Sequence, residues 1–147
     1  MSVRLTAPPE GSDALRADLL SLEERARALL RALGHEASEI SVSLVDDSAM
    51  ARLNEQHRGT AGPTDVLSFS LLEGSHAEHR GALLGDVVID LEAAGRQARE
   101  IGHGLDAELL RLLIHGTLHL LGYDHEREDD ARVMEERESR LWAVLSR

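Results

Sequence analysis

His115-Gly116-Thr117-Leu118-His119-Leu120-Leu121-Gly122-Tyr123-Asp124-His125 sets three histidines at a spacing that lets them meet around one metal ion. Side chains at i and i+4 lie one turn apart on the same face of a helix, so His115 and His119 supply two corners of a tetrahedron. Gly122 accepts a left-handed backbone, which ends the helix and turns the chain back so that His125 reaches the same point from another direction. Three protein ligands leave a position open for water or substrate, the arrangement of a catalytic zinc rather than a closed structural one.

The pattern H-x-x-x-H-x-x-G-x-x-H is also the ligand skeleton of the metzincin proteases, with one difference. Position 116 is Gly where those enzymes carry the Glu that takes a proton from water, so the usual general base of peptide hydrolysis is missing from its usual place. With no cysteine in the chain, a metal has to rest on His, Asp or Glu. At 147 residues the chain fits one domain, spanning 1–147, that buries a sizeable core without disulfide staples. No apolar run is long enough to span a bilayer, and Met1 to Gly11 lacks the layout of a secretory signal, which reads as a soluble cytoplasmic protein.

The formal net charge of −11 argues against coating nucleic acid by bulk attraction, so any such contact has to be local. All sixteen basic residues are Arg, a bias that follows genome composition more readily than phosphate recognition. Phe69, Tyr123 and Trp142 are the only aromatics besides histidine, too few for a stacking platform; recognition of RNA would lean on backbone and shape.

Outward from the histidines, periodicity predicts the other elements. Val3 to Thr6 reads as a short strand, and Ser12 to Leu33 as an amphipathic helix stopped by Gly34. Ile40, Val42 and Leu44 alternate with serines as a half-buried strand, and Asp46-Asp47-Ser48 caps a helix reaching Arg58. Gly59 to Pro63 reads as a loop, Val66 to Leu72 as a strand, Glu73 to Gly81 as an exposed connection, and Leu83 to Ile89 as a strand in the middle of a sheet. Asp90 is placed to cap a helix ending near Ile101; the metal helix follows from Asp106 to Leu121. Gly116 on that helix would let another element approach closely, and a last helix runs from Asp129 to Leu145 with Val133, Met134, Leu141 and Val144 inward. The expected architecture is α+β: a single domain with a small mixed β-sheet, about five helices and a zincin-like metal helix.

Three blocks together resemble the YbeY family of bacterial rRNA maturation endoribonucleases. They are Arg58-Gly59 running into Pro63-Thr64-Asp65-Val66-Leu67-Ser68-Phe69, then Leu84-Gly85-Asp86-Val87-Val88-Ile89, then His115 through His125. The resemblance implies one Zn2+ per chain on His115, His119 and His125, a functional arginine at Arg58, and a fold likened to zinc-protease domains. It also implies cleavage of single-stranded RNA in 16S rRNA 3′-end maturation and ribosome quality control. The implied partners are the 16S rRNA precursor, the ribosome, and ribosomal or GTPase proteins, without membrane or DNA. One departure is His57, where the family often has an aromatic residue before the arginine.

In the expected mechanism His115 and Arg58 are catalytic, with Arg58 pairing with the phosphate in a two-pronged contact. The proton acceptor stays open among His57, Asp124 and the zinc hydroxide. Asp124 is either a partner of a ligand imidazole or a turn residue, Tyr123 either stacks a base or is a turn residue packing on the core, and Asp65 and Asp86 either line the cleft or cap turns. His76 and His79 read as solvated surface residues. Two rival functions are a metallopeptidase, weakened by Gly116, and a non-catalytic zinc-stabilised ribosome assembly factor.

Overall fold

Ile40, Val42 and Leu44 are fully or nearly buried along one face of a strand, β2 (Glu39–Val45), as their alternation with Ser41 and Ser43 requires. In the computed structural model, residues 2–6, 13–58, 64–71, 82–123 and 127–146 are described, with side chains from residue 19 onward except those of 57 and 58. Two loops expected from turn residues, Gly59 to Pro63 and Glu73 to Gly81, therefore lie outside the described residues, as do His76 and His79. The short first strand is β1 (Ser2–Thr6), followed by helix α1 (Asp13–Ala32), β2, helix α2 (Asp47–Arg58) and strand β3 (Val66–Ser70). Then come strand β4 (Leu83–Asp90) and three helices, α3 (Leu91–Ile101), α4 (Leu105–Leu120) and α5 (Glu128–Leu145).

The strands form a four-stranded sheet in the order β1-β2-β4-β3. β1, β2 and β4 run parallel, and β3 lies antiparallel on the β4 edge, which makes the sheet mixed. β4 is interior, as its nearly continuous apolar run predicts, and alternate residues face opposite layers. Val87 and Ile89 join the main core with Leu22, Leu29 and Leu30 of α1, Leu109, Leu113 and Leu118 of α4, and Met134 and Leu141 of α5. Val88 points the other way and packs with Leu67 and Met50, so α2 covers the opposite face. The expected α+β fold, with five helices among the described residues, is what the chain forms.

One expected orientation is corrected. Val133 and Val144 of α5 are 56% and 55% exposed rather than inward. The buried stripe of α5 is Met134, Leu141 and Leu145, spaced by seven and four residues, and the inward position between the first two is taken by Glu138, an acid that hydrophobicity alone would turn outward.

The start of α3 shows capping chemistry under load. Asp90 is buried, and its Oδ1 accepts from the backbone N–H groups of Glu92 (3.0 Å) and Ala93 (3.1 Å). Beside it Asp47 is gripped by Arg96 through a fork of 2.9 and 3.0 Å. Burial, and then the neighbouring Asp47 carboxylate, push Asp90 up to about 6, whereas the Arg96 hydrogen bonds hold Asp47 down at about 2. Between the ordinary value near 3.8 and about 6 the folded chain holds a proton at Asp90 that the unfolded chain has lost. This group's contribution to stability therefore falls as pH rises through that window. Asp90→Asn keeps the capping oxygen and removes the titration. Its melting temperature relative to the parent is expected to rise between pH 4 and pH 7 in paired thermal melts; a constant offset across that range would show that Asp90 titrates normally.

Candidate functional site

The histidine-bearing half of α4 is fixed to the sheet by two hydroxyls. Ser68 and Ser70 lie on the same face of β3; Ser68 Oγ donates to the carbonyl of Gly116 (2.7 Å) and Ser70 Oγ to that of Leu120 (3.0 Å). Two residues of strand advance roughly 6.6 Å and four residues of helix about 6 Å, so the two contacts keep step along both elements. Between them Gly116 permits close approach, as expected: a Cβ there would stand 2.7 Å from Val87 Cγ1, 3.1 Å from Val66 Cγ2 and 3.2 Å from Ser68 Oγ. The helix lies against the sheet because that position has no side chain.

Beside this contact His115 and His119 converge. Their Nε2 atoms are 3.2 Å apart and their rings meet edge to face, with centroids 4.7 Å apart. Two nitrogens each about 2.0 Å from one tetrahedral zinc would be about 3.3 Å apart, so the pair fits two ligands of a single ion. His115 Nδ1 faces Glu138 Oε2 of α5 at 3.4 Å. A carboxylate there favours the tautomer with its proton on Nδ1 and leaves the Nε2 lone pair for a metal.

The helix then ends as the sequence predicts. Gly122 has φ +97°, its N–H donates to the carbonyl of His119 (3.0 Å), and the N–H of Tyr123 donates to that of Leu118 (3.0 Å), while Tyr123 packs on the main core. The chain thus leaves the helix by a defined turn immediately before Asp124 and His125, both of which lie outside the described residues. Among the described residues no cluster of three metal-ligating side chains occurs.

One turn before His115, Arg111 is locked in place. Its guanidinium forks onto Glu108, with Nε at 3.0 and 3.1 Å from the two carboxylate oxygens, and Glu108 is fully buried with His103 Nε2 at 2.8 Å. Burial pushes the Glu108 carboxyl up, but its hydrogen bonds to Arg111 and His103 outweigh that and hold it below the usual range. The network continues from Arg111 to Gln97 Oε1 (3.4 Å) and from Gln97 Nε2 to Asp65 Oδ2 (3.2 Å). Asp65 also accepts the backbone N–H of Asp90 through its carbonyl (2.9 Å), so it ties the start of β3 to α3.

Residues 13–146 match the family model Endoribonuclease YbeY. The chain belongs to the YbeY family. Two relatives named Endoribonuclease YbeY, from Anaeromyxobacter dehalogenans strain 2CP-C and Anaeromyxobacter sp. strain Fw109-5, are 51% and 49% identical over 142 residues, 96% of this chain and 70% of each relative. A third of the same name, from Pelotomaculum thermopropionicum, is 46% identical over 85% of this chain and 84% of its own. The solution structure of TM1509 from Thermotoga maritima superimposes with a TM-score of 0.53 at 26% identity, covering 97% of this chain and 90% of that one.

Of the residues expected to carry YbeY chemistry, the fold brings His115 and His119 together and aims both into one space. Arg58 is the last residue of α2, whose Met50 and Leu53 pack on the other face of the sheet, and its side chain lies outside the described residues. Three participants escape the sequence reading. Ser68 and Ser70 look like ordinary polar positions of an alternating strand. Glu138 sits in the acidic run Glu135-Glu136-Arg137-Glu138, and its signal is positional: it is the one acid in step with Met134 and Leu141.

Proposed function

We propose that this YbeY-family chain, an RNA-cleaving hydrolase, cuts single-stranded RNA at a zinc centre held by His115, His119 and His125. In this reading it acts in the cytoplasm on the 16S rRNA precursor, in 3′-end maturation and ribosome quality control, with the ribosome and its associated proteins as partners. The observation that carries the metal reading is the 3.2 Å separation of the two Nε2 atoms, the spacing of co-ligands rather than of independent surface histidines. No helix among the described residues is long and apolar enough to cross a membrane.

When bound, the ion supplies Lewis acidity toward a phosphate oxygen and brings water near ionisation at neutral pH. The chain's residues do the rest. Glu138 orients His115 by accepting from Nδ1, and the Ser68 and Ser70 contacts stop the helix from sliding past β3, so both imidazoles keep their aim without substrate. Arg58 pairs with the scissile phosphate through two guanidinium N–H groups and offsets charge that grows in the transition state. A peptidase reading lacks its base, because position 116 is pressed against Val87 and Val66.

The deciding test is metal removal and return. One zinc per purified chain, loss of single-stranded RNA cleavage on chelation and its recovery with added zinc are expected; cleavage that survives full stripping would sink the zinc reading. Arg58→Ala is expected to keep zinc and fold while cleavage falls about 100-fold or more, read from metal content, thermal melts and turnover of one preparation. Cleavage at the parent rate would remove Arg58 from the mechanism.

A further inference from the structure

We propose that the cavity between α4 and α5, lined by Arg111, Ile114, Glu138, Ser139 and Trp142, receives one nucleobase of the RNA strand next to the scissile phosphate. The proposal rests on the RNA-cleavage reading above. The cavity has a volume of about 330 Å³, room for a purine or pyrimidine, and its walls suit a flat aromatic ring. Trp142 contributes a half-buried indole steadied by His103, whose ring stacks on it with centroids 6.4 Å apart and planes inclined by 29°. Arg111 contributes a planar guanidinium that the buried Glu108 fork holds in one orientation, so little freedom is lost when a base settles on it. Ile114 supplies a buried apolar wall, and the Ser139 hydroxyl and Glu138 carboxylate supply polar groups for base edges.

Continuity with the histidine pair fixes the occupant. Glu138 belongs to both places: it lines the cavity, and its Oε2 lies 3.4 Å from His115 Nδ1. A strand with its phosphate at the histidines therefore has this cavity beside it. Phe69 packs with Met50 and Leu67 across the sheet, and Tyr123 and Trp142 both pack on the main core, but of the three it is Trp142 that lines this cavity. With a net charge of −11, the chain gains little from long-range attraction, and a single stacked base provides holding energy that does not depend on overall charge.

Trp142 is the chain's one tryptophan, so its emission reports on this cavity alone. The zinc-loaded chain is titrated with a fluorescently labelled, cleavage-resistant 2′-O-methyl hexanucleotide, following Trp142 emission and label anisotropy together. Saturable quenching that tracks binding is expected. Ser139→Phe, at an exposed position on the cavity rim, is expected to weaken binding and raise KM about tenfold while melting temperature and zinc content hold. Binding by anisotropy with unchanged emission, or a Ser139→Phe variant that binds and cleaves with parental Kd and KM, would overturn the base site. Saturable quenching in a chain that leaves RNA uncut would uphold the site and remove the hydrolysis reading, so the two failures are told apart.

Discussion

His119→Ala is expected to take RNA cleavage to background, a loss of at least about 1,000-fold, and to strip the metal in the same step. His119 is half-buried at the end of α4, and its ring meets His115 edge to face, while Leu118 and Leu120 beside it hold the helix in the core. The variant should therefore fold, with a melting temperature lowered only by the stabilisation that metal binding gives the parent. Metal content per chain, circular dichroism and cleavage of a single-stranded RNA measured on one preparation check all three parts. A variant that retains one equivalent of zinc would show that the ligand set is wrong.

The largest effect on stability is expected from Gly85→Ala. Gly85 lies within β4 at φ +153°, paired with Ile40 on one side and Ser70 on the other, beside the register shift between Glu39 and Ile40. A Cβ there would fall 2.3 Å from the carbonyl oxygen of Phe69, 2.8 Å from Leu120 Cδ2 and 3.1 Å from Ser70 Cα. Two of those neighbours are backbone atoms of β3, which cannot retreat without breaking the ladder and the Ser70 contact to α4. A loss of about 3 kcal/mol or more follows, a fall of about 10 °C in melting temperature for a chain of this size. Gly122→Ala is the control: its φ of +97° is also unfavourable for a side chain, but nothing stands within 4 Å of the new Cβ, so a loss nearer 1 to 2 kcal/mol is expected. Similar small shifts in both variants would show that β3 yields easily.

What the sequence made legible was local. The Ile40, Val42, Leu44 alternation, the Asp90 cap, the Gly122 stop and the i,i+4 histidine pair each depend on residues a few positions apart, and each stands where expected. The closeness of another element at Gly116 was legible too, because only a missing side chain allows it. Strand order was not, since the mixed pairing of β1, β2, β4 and β3 depends on how helices cross the sheet. The facing of α5 was misread because its inward stripe spends one position on Glu138, which is drawn inward by His115, 23 residues earlier in the chain. The same distance in sequence hid the serine contacts to α4 and the chain of side chains from Asp65 through Gln97 and Arg111 to Glu108.

The packing around Gly116 bears on descent as well as on catalysis. This chain and the glutamate-bearing zinc peptidases share the spacing H-x-x-x-H-x-x-G-x-x-H, so a single codon change at position 116 looks like a short evolutionary step between cutting RNA and cutting protein. It is not, because a side chain at this position is driven into Val87 and Val66, and relieving the clash means lifting α4 from the sheet and severing both serine ties. A glutamate introduced there would therefore disturb the alignment of the two histidines. On this backbone the absence of a side chain at position 116 is a packing requirement of the helix against the sheet.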